Sequence, residues 1–421
     1  MDARTGMPRV GMVGGGQLAR MTHQAAIPLG QSLRVLAESP DDSAALVAAD
    51  VEIGTHTDVE ALRRFAAGCD VVTFDHEHVP NDLIAALTAE GHTLLPSAPA
   101  LVFAQDKGAM RRRLAELGLP VPAFAVLPGG TGERPDLAAF AGTHGWPVVL
   151  KTCRGGYDGR GVWVLRDAAA AAEVVAGIPD DADLLVEELV PLRRELAAVV
   201  ARSPFGQAAA WPVVETVQQD GICVEVIAPA PDLSGDRAVA AGELALHLAA
   251  TLDVVGVLAV ELFEVTPSDA HPDGLVINEL AMRPHNSAHW TQDGAVTSQF
   301  EQHLRAVLDY PLGAATAVHP WTVMANVIGA RPPAGVPTTG MDERAHHLGA
   351  RFPTAKVHLY GKSFRPGRKL GHVNVGGADL PEVRRIAQLA GHYLSAGVWA
   401  DGYTLPPHEP SVTPGRETVV R

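Results

Sequence analysis

Cysteine is scarce in this chain: three among 421 residues, Cys69, Cys153 and Cys223, far apart and without a C-x-x-C pair. That excludes a disulfide framework and a standard zinc site and fits a reducing compartment. No apolar run reaches the roughly 18 residues of a spanning helix. The first residues also lack the charged-then-apolar pattern of an export signal, so a cytoplasmic protein without membrane contact is expected. Positive charge is short as well, with a formal net charge of −15 and no basic patch, which disfavours nucleic acid as a partner. Arg111, Arg112 and Arg113 read as one helix turn. Only five of the 33 basic residues are lysines: Lys107, Lys151, Lys356, Lys362 and Lys369. A chain that otherwise uses arginine keeps lysine where a compact, flexible point charge is useful, as at a phosphate.

What is present begins with alternation. RVGMVGGGQLARM reads as strand, glycine turn and helix; strands at Leu33–Leu36 and Val71–Phe74 and a helix over Asp58–Ala67 continue a parallel α/β sheet. The pattern breaks at LLPSAPA, which places a first, Rossmann-like domain over residues 1–100. A helix is expected from Phe103 to Gly118, opening a second domain over 101–315. There WPVVLKT, a glycine loop, a helix over Ala168–Ala176, ADLLVEELV and two long strands, Val257–Val265 and Leu275–Leu280, follow in order, and SQFEQHLRAVLD closes it as a helix. Residues 316–405 read as a small α+β or barrel-like C-terminal domain with strands KVHLY and HVNV and a helix over Pro381–Leu389; residues 406–421 read as a loose tail.

Three constellations carry chemistry. Gly14 to Ala19 fits G-x-G-x-x-A after a strand, with Glu38 about 20 residues on, and so meets the dinucleotide fingerprint. Its physical content is a helix N-terminus facing an anion, which suits a phosphate monoester as well as a pyrophosphate. Lys151 ends an apolar strand before RGGYDGRGV, a loop able to fold over nucleotide phosphates, although the Walker order is absent. Glu261 in VLAVELF and Glu279 in LVINEL each stand inside apolar strands. A carboxylate there costs several kcal/mol unless compensated, and two on partner strands make a hard oxygen pocket suited to Mg²⁺, with Asn278 adding a neutral oxygen. The chain then leaves the sheet through Arg283, Pro284, His285 and Asn286, where Arg283 can offer a fork to a small planar anion and His285 and Asn286 can hydrogen-bond its remaining edge. His289 and Trp290 read as packing groups or as support behind them.

With GGGQLARM, TFDHEHVP, KTCRGGYDGRGVW, VEELVPLRRE, RPHNSAHWTQ and RPGRKLGH in this order, the chain resembles the ATP-grasp superfamily and, within it, the N5-carboxyaminoimidazole ribonucleotide synthase family. The resemblance implies an ATP-grasp fold, α/β and α+β, with a Rossmann-like domain before it and a small domain after it. It implies ATP held by Lys107, Lys151, the loop Gly156, Tyr157, Asp158, Gly159, Arg160, Gly161 and Val162, the hinge Glu187, Glu188, Leu189 and Val190, and Glu195, Gln218, Asn278 and Glu279. Mg²⁺, or Mn²⁺ in its place, falls to Glu261 and Glu279. Aminoimidazole ribonucleotide falls to Gln17, Leu18, Glu77, Tyr157, Asp158, Arg160, Lys362, Arg368 and Lys369, and bicarbonate to Arg283, His285 and Asn286, with Asp158 as a base. A homodimer is implied too. Gln218 departs from the family, which often has histidine there. The competing readings are a formate-using transformylase or a biotin-dependent carboxylase of the same superfamily, an NAD-dependent dehydrogenase, and an ATP-binding regulator without turnover.

Overall fold

The computed structural model describes residues 1–130, 136–156, 159–269, 271–331 and 339–404. Three sheets organise them. The first has four parallel strands, β1 (Arg9–Val13), β2 (Ser32–Ala37), β3 (Asp50–Ile53) and β4 (Val71–Phe74), in the order β3-β2-β1-β4. Helices Gln17–Ala26 and Val59–Ala67 form the crossovers, and Asp58 caps the second by accepting the amides of Glu60 and Ala61. β1 and β4 are almost entirely buried apolar residues, as a parallel sheet covered on both faces requires.

The second sheet is small and antiparallel: β5 (Phe124–Leu127), β6 (Val148–Thr152), β7 (Val162–Leu165) and β8 (Leu184–Glu188), in the order β5-β8-β6-β7. Lys151 lies on β6 and Glu187 on β8. The single helix expected over Phe103–Gly118 is two helices, Ala98–Gln105 and Lys107–Glu116. Asp106 divides them: its backbone is extended and its side chain accepts the amide of Ala109, so it is an N-cap that halts one helix and starts the next. The break also turns the backbone N–H of Lys107 to the carbonyl of Cys153, 2.8 Å away at the start of the glycine loop.

The third sheet holds β9 (Arg194–Arg202), β10 (Ala208–Ala210), β11 (Val214–Gln219), β12 (Ile222–Ala228), β13 (Gly256–Glu264), β14 (Leu275–Ala281), β15 (Trp321–Ile328), β16 (Lys356–Leu359) and β17 (Lys369–Gly377). Its order is β14-β13-β9-β11-β12-β15-β17-β16, with β10 on β9. The small C-terminal domain expected from residue 316 is joined to the second domain through this sheet. β15 pairs antiparallel with β12, so strands from both sides of residue 316 share one sheet, and Ile227, Val323, Ala325 and Val373 share one core. The last helix also runs further than Pro381–Leu389, covering Leu380–Ala396 and stopping at Gly397 in the left-handed region. Ala390, Tyr393 and Leu394 continue its buried face, and Gly391 lets it approach Ala325 closely. The tail at 406–421 lies outside the described residues.

Candidate active site

A cleft of about 710 Å³ is lined by strands of the second and third sheets and, from the first domain, by Gln17 and Leu18 at the glycine turn and by Asp75, His76, Glu77 and His78 after β4. On one wall the register of the β13–β14 hairpin sets Glu261 opposite Glu279. Burial, Glu279 and then Glu195 push the Glu261 carboxyl up to about 7. Such crowding of acids is what a divalent cation would relieve. Among the described residues no three His, Cys, Asp or Glu side chains form a self-sufficient metal site. The donor set, two carboxylates and the Asn278 amide, thus fits Mg²⁺ completed by phosphate oxygens.

Cations stand beside the acids. Lys107 bonds Glu279. Lys151 reaches Glu187 at 2.7 Å and donates to Asn278 Oδ1 at 3.1 Å. Behind them Arg111, fully buried, bonds Glu187 through Nε and donates to the carbonyls of Ile277 (2.9 Å) and Asn278 (2.8 Å). Burial would raise the Glu187 carboxyl, but Lys151 and Arg111 outweigh it and hold it below the ordinary value. The Glu187 side chain thereby orients Lys151 inside the protein. Further along, burial raises Glu195, opposed first by a hydrogen bond from Gln218.

After β14 the chain is clamped. Glu77 accepts the Met282 amide at 2.8 Å and Arg283 Nε at 3.0 Å, joining the first domain to this loop. Gln299, fully buried, accepts the His285 amide (2.7 Å) and donates to the His285 carbonyl (2.8 Å). Its Nε2 also lies 2.8 Å from His289 Nδ1. His285 Nε2 stands 3.4 Å from Glu261, and burial, Arg283 and Lys369 lower its pKa to about 3, so the ring is neutral. Asn286 reaches the cleft wall, but both atoms of its amide are committed to Asn326, at 3.0 and 2.8 Å. Trp290 is core; His289 lines the cleft.

The glycine turn after β1 differs from its sequence reading. The Asp75 carboxylate accepts the amides of Gly16 (2.7 Å) and Ala19 (2.8 Å), so the anion at this helix end is part of the chain. Gly16 is required because a Cβ there would lie 2.1 Å from Asp75 Oδ2. Glu38 pairs with His56 at 2.9 Å. Gln17 and Leu18, expected at the ribonucleotide, line the cleft beside this turn. Lys362 bonds the Gln17 side chain, and Lys369 lines the cleft. Arg368 donates to Ser363 within its own loop and, like Arg160, Gly161 and Lys362, is absent from the cleft wall. Gly156, Gly159, Val162, Glu188, Leu189 and Val190 line it, whereas Tyr157 and Asp158 lie outside the described residues.

Comparison with known proteins decides what this cleft belongs to. The N5-carboxyaminoimidazole ribonucleotide synthase of Mycobacterium tuberculosis is 61% identical over 406 residues, 96% of this chain and 91% of the relative. The chain belongs to the N5-carboxyaminoimidazole ribonucleotide synthase family. The synthase of Corynebacterium ammoniagenes is 46% identical and covers 95% of each chain. Three domain families match in series: the ribonucleotide synthetase preATP-grasp domain at residues 7–105, the ATP-grasp domain at 112–300 and the phosphoribosylaminoimidazole carboxylase C-terminal domain at 322–386. The solved synthetase of Thermus thermophilus is similar with a TM-score of 0.80 and 36% identity over 93% of this chain and 99% of that one. The synthase of Aspergillus clavatus in complex with ADP and 5-aminoimidazole ribonucleotide gives 0.81 and 31%, over 92% and 98%. The protein is an ATP-grasp ligase, which removes the dehydrogenase reading of the glycine turn.

Against this synthase framework, sequence reasoning missed Arg111, Asp75, Gln299 and Asn326. Arg111 sat in a run read only as one helix turn, and its helix also carries Lys107 four residues earlier, the one available signal. Asp75 and Asn326 act through partners far along the chain, and Gln299 through the loop that precedes its helix.

Proposed function

We propose that the chain carboxylates 5-aminoimidazole ribonucleotide with bicarbonate and ATP, giving N5-carboxyaminoimidazole ribonucleotide, ADP and phosphate in purine biosynthesis. The observation that carries the reading is one cleft joining the Lys107–Glu279 and Lys151–Asn278 contacts to the Gln17 turn and Lys369. ATP lies with adenine at Glu187–Val190, ribose at Glu195 and Gln218, and phosphates at Lys107 and Lys151. Mg²⁺ held by Glu261, Asn278 and Glu279 would neutralise charge on those phosphates.

A bicarbonate oxygen attacks the γ-phosphorus, ADP leaves, and carboxyphosphate forms. Arg283, oriented by Glu77, grips the bicarbonate, while neutral His285 offers a hydrogen bond without competing for the proton. The exocyclic amine of the ribonucleotide then attacks the carboxyl carbon, phosphate departs, and the amine proton goes to phosphate or to Asp158. Carboxyphosphate is short-lived in water, so the glycine loop has to cover it. A homodimer and residence in the cytoplasm complete the reading; three free thiols accord with a reducing compartment.

The test is which second substrate triggers ATP cleavage. Strong stimulation by 5-aminoimidazole ribonucleotide with bicarbonate is expected. Stimulation by formate with glycinamide ribonucleotide, and none by aminoimidazole ribonucleotide, would falsify the assignment.

A further inference from the structure

Asn286 and Asn326 form a reciprocal amide pair: Asn286 Nδ2 donates to Asn326 Oδ1 at 3.0 Å, and Asn326 Nδ2 donates to Asn286 Oδ1 at 2.8 Å. Asn326 Nδ2 also donates to the Cys223 carbonyl at 2.8 Å. That third bond decides the direction of the other two. A main-chain carbonyl only accepts, so the Asn326 atom facing Cys223 is the nitrogen, its oxygen faces Asn286, and Asn286 answers nitrogen to oxygen and oxygen to nitrogen. Turned over, the Asn286 amide would set oxygen against oxygen and N–H against N–H. The ladder between β12 and β15 stops at Glu225, and beyond it the Asn326 side chain takes the Cys223 carbonyl. Asn326 is buried on β15 and absent from the cleft wall, whereas Asn286 lines the cleft with Arg283 and His285. A carboxamide has two N–H groups and two oxygen lone pairs; the pair uses one of each on Asn286, which keeps one N–H and one lone pair.

We propose that Asn326 is a positioning residue for bicarbonate: it holds the Asn286 amide in the orientation that offers the spare N–H, rather than the spare lone pair, to an anion beside Arg283 and His285. The inference rests on the reading above, which puts bicarbonate there. An anion is held by a donor and repelled by an oxygen, so an amide free to turn over would serve it only part of the time. The pair settles that choice before the anion arrives, and binding then has less to order. The C-terminal strands thereby become part of the anion site, since β15 carries the residue that decides which end of Asn286 donates.

A double-mutant cycle tests this. Asn326→Leu removes the pair with little change of volume. KM for bicarbonate should rise roughly fivefold or more, with KM for ATP and kcat at saturating bicarbonate within about twofold of wild type. Asn286→Ala should raise KM for bicarbonate at least as far, and adding Asn326→Leu to it should change nothing more, because both act through one group. Asn326→Ser, whose hydroxyl cannot serve both neighbours, takes the place of Asn326→Leu if that variant does not fold. Exchange of the Asn286 side-chain amide protons, followed by NMR, is independent of turnover: the pair should slow it in the wild type and not in Asn326→Leu. A folded Asn326→Leu with unchanged KM for bicarbonate overturns the proposal. So do two substitutions whose effects multiply in the double variant, or Asn286 protons that exchange equally fast in both proteins. A wild type whose ATP cleavage needs no bicarbonate sinks the functional reading and the anion with it, while the exchange measurement still decides whether Asn326 holds Asn286.

Discussion

Arg111 is the residue whose role contrasts most with its sequence. One guanidinium serves a carboxylate and two carbonyls on different strands, and its removal leaves Glu187 buried beside Lys151 alone. Arg111→Met should cost about 3–5 kcal/mol, the usual range when one partner of a buried pair is lost, measurable by urea denaturation. Arg111→Lys should not restore it, because a point charge cannot serve three acceptors in a fork. The pH dependence has a definite sign. Glu187 is held below its ordinary value, so its stabilisation is complete above the unfolded pKa of about 4.3 and fades as pH falls through the folded value. A plot of Tm against pH should therefore drop on the acid side, and in Arg111→Met the drop should begin at higher pH. Glu279→Gln keeps shape and loses charge; turnover should fall on the order of a hundredfold or more with Tm unchanged, and near-normal turnover would remove its metal role. Lys369→Ala should raise KM for the ribonucleotide more than Arg368→Ala does, since only Lys369 reaches the cleft wall. Glu261 and Glu279 were legible because a carboxylate in an apolar strand is costly and needs a reason. Arg111 was not, since RRR looks the same on a solvated turn and in a core.

At the scale of elements, the sequence marked strands and helices well wherever a cap or an apolar run stood beside them. Ala168–Ala176 and the Asp58-capped helix are such cases. It failed where a tertiary partner decides. The Asp106 cap stands inside what reads as one helical run, with the Cys153 carbonyl taking the Lys107 amide at the break, and the extra turns beyond Leu389 depend on a sheet face supplied from elsewhere. The helix Gln299–Val307 shows how an element can serve a site it does not line. Ser298 caps it, and Gln299, its first residue, grips the backbone of His285 on both sides. Gln299→Met should lower kcat while leaving KM for ATP nearly unchanged, because the residues proposed to hold the nucleotide lie on other elements. Steady-state kinetics with each substrate varied in turn would show the split, and an unaltered kcat would mean the clamp is dispensable.

The whole molecule is held by a sheet that passes across the expected domain boundary. β12 is flanked by β15, and Ile227 is buried among residues of β15 and β17. Of these strands the sequence reading named only HVNV in β17, and the pairing of β12 with β15 escaped it because antiparallel partners about a hundred residues apart leave no local periodicity. A chain ending at residue 320 should leave β12 with an open edge and an exposed apolar face, conditions that favour association. Gel filtration should find it aggregated and calorimetry should find no cooperative transition. A monomeric fragment with a sharp transition would show that the C-terminal strands are accessory.

Asp75 gives the first domain an internal counter-ion. Burial raises its carboxyl above the ordinary value even though the amides of Ala19 and Gly16 oppose the shift, and those two hydrogen bonds occupy the helix end before any ligand arrives. Replacing it by alanine opens a socket of two amides with the size of an oxyanion. Asp75→Ala should then be amenable to chemical rescue: sulfate added to the solvent should restore much of the lost Tm in a saturable way, as a ligand specific to the native state does. The wild type, already carrying its own anion, should show no such saturation at that turn.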